Sequence, residues 1–216
     1  MTNTETGSRP VGNKGKTAKN ELIAAVSRLM CDKDSIDFTF SEVSREAGMN
    51  AALIKYYFGS KEGLLYAVLE RDLSAGKDLF FNFLERPGLD PREKMRGHLI
   101  GLLNMYHEIP YLNRLTQALT RDATEERVIK ISTELIAPLA RAQEQILKEG
   151  YQSGLFRKVD PMSFYFTAVH AAEGFYANRF VLNAAFDQAS ISDRLHKMNS
   201  EQVADILMRG ISKEAS

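Results

Sequence analysis

Between Asn50 and Lys61 the sequence reads NAALIKYYFGSK, and its polar chemistry gathers toward one end. Lys55, Tyr56 and Tyr57 place an amine and two hydroxyls at three consecutive positions. Groups of this kind hold phosphate oxygens on either side of a groove. Ala51, Ala52 and Leu53, ahead of them, are small or apolar. A helix that starts this way can sink into the major groove of a duplex and touch base edges and thymine methyls.

The chain offers little that points to other chemistry. It contains no HExxH, no Cys-x-x-Cys, no glycine-rich phosphate loop and no G-x-S-x-G. His170 and Glu173 are three residues apart and share a helix face. Di-metal carboxylate bundles use the order Glu-x-x-His and need several further carboxylates, whereas His-x-x-Glu stands here once. No catalytic residue, metal or cofactor is expected.

The elements that would position the Asn50–Lys61 groups can be read on either side of them. Ser41 stands where an N-cap belongs. Val43 and Ala47 fall on one face, so Ser41 to Ala47 forms a short helix. Gly48 ends it through a left-handed cap, and Met49 is the buried turn residue. Asn50 caps a second helix from Ala51 to Tyr57, Gly59 closes that one, and Ser60 caps a third beginning at Lys61. Two short helices joined by a tight glycine turn make a helix-turn-helix. The plain alternative is a pair of packing helices in an all-α protein.

The run AGMNAALIKYYFGSKEGLL resembles the signature of the tetracycline-repressor (TetR) family of transcriptional regulators. The match falls at Thr39, Ala47, Gly48, Tyr57, Phe58, Ser60, Lys61, Glu62 and Leu64 and covers about a quarter of the chain. Lys55 stands where the family more often has tyrosine or asparagine, and Tyr57 where it often has histidine. Neither departure removes a phosphate-binding group, so they bear on which operator is read. Carried over from the motif, base readout falls to Ala51, Ala52 and Leu53, with Asn50 as a further candidate. Phosphate contacts fall to Thr39, Ser41, Lys55, Tyr56, Tyr57 and Lys61, with Arg45 beside them. Ile54 and Phe58 are core.

Charge and composition set bounds on this reading. Lysine plus arginine and aspartate plus glutamate each number 28 among 216 residues, so the chain as a whole has no basic excess and any DNA contact relies on local charge. Up to Asn20, Arg9, Lys14, Lys16 and Lys19 face Glu5 alone, an excess of 4 − 1 = +3. Residues 1–16 are expected to be a disordered basic arm. Thr17 to Cys31 reads as the first helix, with Leu22, Val26, Leu29 and Met30 as its apolar stripe. Lys16 and Lys19 near its start oppose the helix dipole, which suits a phosphate partner. Phe38 and Phe40 anchor the small core. The single cysteine, Cys31, cannot form an intramolecular disulfide and is expected to be a buried thiol. No apolar run reaches membrane-span length and the N-terminus lacks an apolar signal region, so a cytoplasmic protein is expected.

Beyond Lys61 the pattern is helical throughout. A helix from Lys61 to Phe83 links the two parts, and Arg86 to Pro91 breaks it. Helices follow over Arg92–Glu108, from Pro110, and from about Thr124 to Gln152 with a kink at Pro138. Pro161 suits a first helical position. Met162 to Ala185 is apolar on nearly every side, and such a helix must be covered on every side. With a last helix over Asn199–Ser212 capped by Ser200, two subunits would form an isologous four-helix interface, as the family resemblance also implies. Phe80, Met105, Tyr106, Tyr111, Phe166 and Tyr176 are candidates to line an effector pocket. His170 and Glu173 are candidate polar groups within it, as are His98, His107, Asn178 and Arg179.

The fold class expected is all-α. A helix-turn-helix DNA-binding domain spans residues 17–66, and an effector-binding and dimerisation domain spans residues 67–216. The function implied is a homodimeric transcriptional regulator, a repressor released from a palindromic double-stranded operator by an unidentified small molecule. The alternative is a helical small-molecule binder or enzyme that keeps the helix-turn-helix as packing.

Overall fold

A computed structural model describes residues 11–121 and 123–213, with side chains from Gly15 onward. Every regular element among the described residues is a helix, with one isolated antiparallel bridge between Phe156 and Ser212. The chain divides into two compact units, Met1–Val68 and Leu69–Ser216.

The first unit holds α1 (Val11–Asp32), α2 (Phe40–Ala47), α3 (Ala52–Phe58) and the opening turns of α4 (Lys61–Leu84). Helix α1 begins at Val11, ahead of the start expected at Thr17. Val11 to Lys16 are therefore helical where an arm was expected, and residues 1–10 of that arm lie outside the described residues. Lys16 and Lys19 sit one or more turns inside the helix, where the dipole is already satisfied. Leu22, Ile23, Ala25, Val26 and Met30 are buried, and this stripe packs against α2. Cys31 is exposed and not buried as expected, because it follows Met30 by about 100° around the helix and points off the packed face. Phe38 is buried and Phe40 half-buried.

Helix α2 is capped two residues before the expected position. Thr39 has extended backbone (φ −101°, ψ 155°) and its Oγ1 accepts from the Glu42 amide at 3.2 Å. The Glu42 carboxylate accepts from the Thr39 amide in return, at 2.8 Å, which completes a capping box. Ser41 is thus a first-turn residue and not the N-cap. Gly48 ends the helix at φ +64°, a conformation that costs a side chain strain. Met49 is half-buried, less covered than expected.

The second unit is arranged around α5 (Pro91–Glu108), which packs on α8 (Ala137–Gln152), α9 (Pro161–Ala177) and α11 (Asp193–Ile211). Asp90 and Glu93 form a capping box at the start of α5, with Pro91 in the first turn where its missing N–H costs nothing. Met95, Leu99, Ile146, Leu147, Phe156 and Phe164 lie at the centre of the core. Helix α6 (Leu112–Thr120) buries Leu112, Leu115 and Leu119. The kink expected at Pro138 takes a definite form: α7 (Glu125–Lys130) leads into a π-helical turn, Ile131–Ile136, and α8 begins at Ala137. Pro138 has no N–H to donate and its ring crowds the preceding turn, which a wider turn accommodates.

The long apolar segment is two helices, not one. Helix α9 buries Phe164, Ala168, Ala172 and Tyr176, one stripe at four-residue spacing. Asn178 breaks it, with its side-chain amide donating to the Gly174 carbonyl at 2.7 Å, and α10 (Arg179–Phe186) follows with no buried residue. Helix α11 begins at Asp193, capped by Ser192, so Ser200 is a buried mid-helix residue and not a cap. No helix among the described residues is long and apolar enough to cross a membrane.

Candidate nucleic-acid interface and ligand cavity

Local capping sets the register of the recognition candidate, α3. The Asn50 Oδ1 accepts from the Ala52 amide at 2.8 Å, and Gly59 at φ +71° terminates the helix. Ser60 Oγ then accepts from the Gly63 amide at 3.0 Å to start α4. Gly63 has to be glycine, since a Cβ there would lie 2.2 Å from the Phe58 carbonyl oxygen. Ile54 and Val43 are fully buried, which fixes α3 and α2 in the small core. With Ile54 inward, Asn50, Ala52, Lys55 and Tyr56 are exposed, and Ala51, Leu53 and Tyr57 are half-buried. Tyr56 is 80% exposed, with its ring edge-on to Tyr57 at 5.0 Å.

The phosphate candidates fall into two groups. Ser41, Arg45, Lys55, Tyr56 and the half-buried Tyr57 have no hydrogen bond or ion pair among the described residues, so their donors are available. Thr39 and Lys61 are already engaged. The Thr39 hydroxyl lies 3.0 Å from Glu42 Oε2 and so has a carboxylate to donate to. The Lys61 ammonium sits 2.9 Å from Asp37 Oδ1 and 4.7 Å from the centre of the Phe38 ring. A hydrogen bond from Lys33, and then those from Thr39, draw the Glu42 carboxyl down to about 2, and Lys61 holds that of Asp37 below its usual range. Glu42 and Asp37 were missed as partners. The Thr39-x-x-Glu42 spacing is a legible capping signal, whereas nothing in sequence ties Asp37 to Lys61.

Two cavities of the second unit share part of their walls. The larger of this pair, about 340 Å³, lies within the range of small-molecule sites, about 300–1,000 Å³. Phe80, Phe83, Gly97, His98 and Met105 are among the residues that line it. The smaller, about 200 Å³, is lined by Tyr106, Leu135, Tyr165 and Glu173 among others. His98, Leu102, Met105 and Leu139 belong to the walls of both. Of the twelve pocket candidates, Phe80, His98, Met105, Tyr106 and Glu173 line a cavity.

The others line neither of these two. Tyr111 is buried elsewhere and donates to Asp72 Oδ2 at 2.7 Å. Phe166 is 54% exposed on the outer side of α9, with His170 Nδ1 2.8 Å from its carbonyl. Tyr176 is buried with its hydroxyl 2.6 Å from His196 Nδ1, and the rings of His196 and His107 stack at 4.0 Å. Tyr165 and Leu139 were missed, because a residue facing a cavity has the same helical spacing as one facing core.

His98 is the buried polar group common to both cavities. Its Nε2 lies 2.9 Å from Gln143 Oε1, and with the amide in this orientation the ring donates from Nε2. Burial pulls its pKa down to about 4 against a smaller opposing effect of the Gln143 hydrogen bond, so the ring is neutral at pH 7.

Two family models match this chain. One, bacterial regulatory proteins of the tetR family, covers residues 22–68, and the other, the tetracyclin repressor-like C-terminal domain, covers residues 88–215. The chain belongs to the TetR family. The first match contains all of α2 and α3, and the second contains α5 to α11. Among curated relatives, the chain is 38% identical over 72 residues to the HTH-type transcriptional regulator BetI of Rhizobium meliloti (strain 1021), covering 33% of this chain and 32% of that protein. It is 28% identical over 83 residues to BetI of Stenotrophomonas maltophilia (strain R551-3), covering 38% of this chain and 42% of the relative. The chain thus spans less than half the length of these two relatives.

Solved structures extend the likeness of fold to nearly the whole TetR chain. A TetR/AcrR family regulator from Thermobifida fusca superposes with a TM-score of 0.68 at 20% identity, covering 90% of this chain and 98% of that one. FadR from Bacillus subtilis, in complex with stearoyl-CoA, gives a TM-score of 0.68 at 19% identity, covering 89% and 98%.

Proposed function

We propose that this TetR family member is a homodimeric DNA-binding transcriptional regulator, a repressor that leaves a palindromic operator when a small effector binds its C-terminal unit. The observation that carries the reading is the exposed face of α3: Asn50, Ala52, Lys55 and Tyr56 outward, with Ile54 inward and the helix capped at both ends. Ala51, Ala52 and Leu53, with Asn50, read base edges in the major groove. Ser41, Arg45, Lys55, Tyr56 and Tyr57 hold phosphates, and Thr39 and Lys61 join them on exchange of their present partners.

Apolar side chains left uncovered on α9 and α10 support the dimer. Met162, Phe166, Phe180 and Phe186 are all more than half exposed. A second copy covering this face by two-fold symmetry gives an isologous interface and sets two recognition helices about one helical turn of DNA apart. The cavities of the second unit support the effector, and α4 provides the covalent link between the units. An effector that prefers one spacing of the recognition helices removes the protein from DNA only to the extent of its differential affinity.

Fluorescence anisotropy on a duplex from upstream of the protein's own gene tests this reading. Lys55→Ala is expected to weaken all sequences alike and to reduce the salt slope of log K by about 0.9 for one lost phosphate contact. Ala52→Glu is expected to abolish sequence-selective binding. Wild-type affinity with an unchanged slope in both variants overturns the assignment.

A further inference from the structure

His98 and Gln143 form a buried polar pair between α5 and α8, and its hydrogen bonding is incomplete at both ends. His98 is 7% exposed and Gln143 1%. The His98 Nε2 and the Gln143 Oε1 are bonded to each other, while the Gln143 Nε2 is buried with no hydrogen-bond partner among the described residues. The second ring nitrogen, His98 Nδ1, has no partner among those residues either. The ring packs on Phe80, 4.6 Å between centroids, and stands in the wall of both cavities.

A buried amide N–H without an acceptor is a costly orphan, and a carbonyl oxygen tolerates under-use better. Turning the Gln143 amide over lets it donate to His98 Nε2. The ring, neutral at pH 7, then carries its single proton on Nδ1, so the exchange changes no charge. It moves the deficit from Gln143 to the Nδ1–H group. No described group bonds Nδ1, so the acceptor that completes the pair has to come with a ligand.

The walls narrow that acceptor. No lysine or arginine lines either cavity. The carboxylates are Asp72, already bonded to Arg71 and Tyr111, the exposed Glu108 and the half-buried Glu173. An anionic acceptor meets like charge with no basic group to offset it. Thr116 gives its hydroxyl proton to the Leu112 carbonyl, and the half-buried Asn113 keeps access to water. The deepest unmet group is therefore the pair itself.

We propose that His98 is the ligand-reading residue of the two cavities and that the ligand is a neutral apolar carbonyl compound, a ketone or an ester. Its oxygen accepts from His98 Nδ1–H while the Gln143 amide turns over to donate to Nε2. The apolar part lies along Leu102, Met105 and Leu139, the wall common to both cavities. An alcohol fits less well, because it needs a further acceptor for its own O–H. An ammonium group can only donate, to an unprotonated Nδ1, which leaves the Gln143 amide unpaired. This assignment rests on the proposal that the second unit binds an effector, and it names that effector's chemical class.

Isothermal titration calorimetry on the full chain tests it with three probes of one carbon skeleton: heptan-2-one, heptan-2-ol and heptan-2-amine, the last as its ammonium ion. The ketone is expected to bind about tenfold more tightly than the other two. His98→Leu should bring ketone and alcohol to equal affinity. Nitrogen-15 NMR of the imidazole in the ketone complex should place the ring proton on Nδ1.

An alcohol or amine that binds as tightly as the ketone overturns the proposal, as does a complex whose ring proton sits on Nε2. If His98→Leu does not fold, as judged by circular dichroism, the order of the probes on the wild type and the position of the ring proton decide. Operator binding measured with the same compounds separates the two readings. Ketone binding at His98 that leaves operator affinity unchanged keeps the site and removes its regulatory role. Operator binding without any ketone preference keeps the regulator and removes the site.

Discussion

His98 should make the second unit lose stability in mild acid, and the size of the loss follows from its burial. Its pKa in the folded chain is about 4, against about 6.5 in an unfolded one. Above pH 6.5 the ring is neutral in both states and pH has no effect through this group. As pH falls below that, the unfolded chain takes up a proton that the folded chain refuses, so stability declines until about pH 4 and then levels off. The difference of about two and a half pKa units corresponds to about 3 kcal/mol in full, and about 2 kcal/mol is already lost at pH 5.

The perturbation that isolates this is His98→Gln, which keeps an N–H donor for Gln143 Oε1 and removes the titration. Urea unfolding of both proteins is followed by circular dichroism at pH 7.5 and pH 5.0, at one fixed protein concentration because the stability of any self-associating chain depends on it. The variant's cost at pH 7.5 is immaterial. What counts is that the wild type loses about 2 kcal/mol more than the variant between the two pH values. Equal losses would mean that the buried ring accepts a proton without penalty, and the reasoning would be wrong.

Three further outcomes are expected. Thr39→Ala removes the hydroxyl of the α2 capping box and should cost about 1 kcal/mol in thermal or chemical unfolding of the first unit. Gly150→Ala would put a Cβ 2.0 Å from the ring of the fully buried Phe156, so something must shift, and the second unit should lose about 1–3 kcal/mol in urea titration. Phe166→Asp places a charge on the exposed apolar side of α9, and light scattering with size exclusion should show monomer for the variant and the proposed dimer for the wild type; an unchanged dimer would place the interface elsewhere.

Much of the first unit was legible because its signals are local. Asn50, Gly48, Gly59 and Ser60 act within two or three residues of themselves, so their roles could be assigned from spacing alone. Thr39 and Ser41 show the limit: two hydroxyls two residues apart can both cap, and Glu42 decides between them by bonding back to Thr39. The start of α1 was not legible because the polar residues before Thr17 carry no apolar stripe. The second unit's helices followed from Pro91, Pro138 and Pro161, which bound or distort helices by their missing N–H. Its cavities did not follow. Tyr106 and Tyr111 lie five residues apart and look alike in sequence, yet one faces a cavity and the other bonds Asp72 through packing between distant segments. The apolar circumference of Met162–Ala185 was informative for the opposite reason, since an uncovered side is a property of composition.

The contact between Lys61 and Asp37 has a consequence for any polyanion that approaches α4. The ammonium is already sited, resting against the Phe38 ring, and its charge is already matched. A phosphate arriving there would replace one oxyanion with another, so it would gain placement with little change in attraction. Asp37, 90% exposed at its side chain, would pass back into water with its hydration almost intact. Such an exchange is cheap in both directions, which favours a grip that a polyanion could take and release quickly.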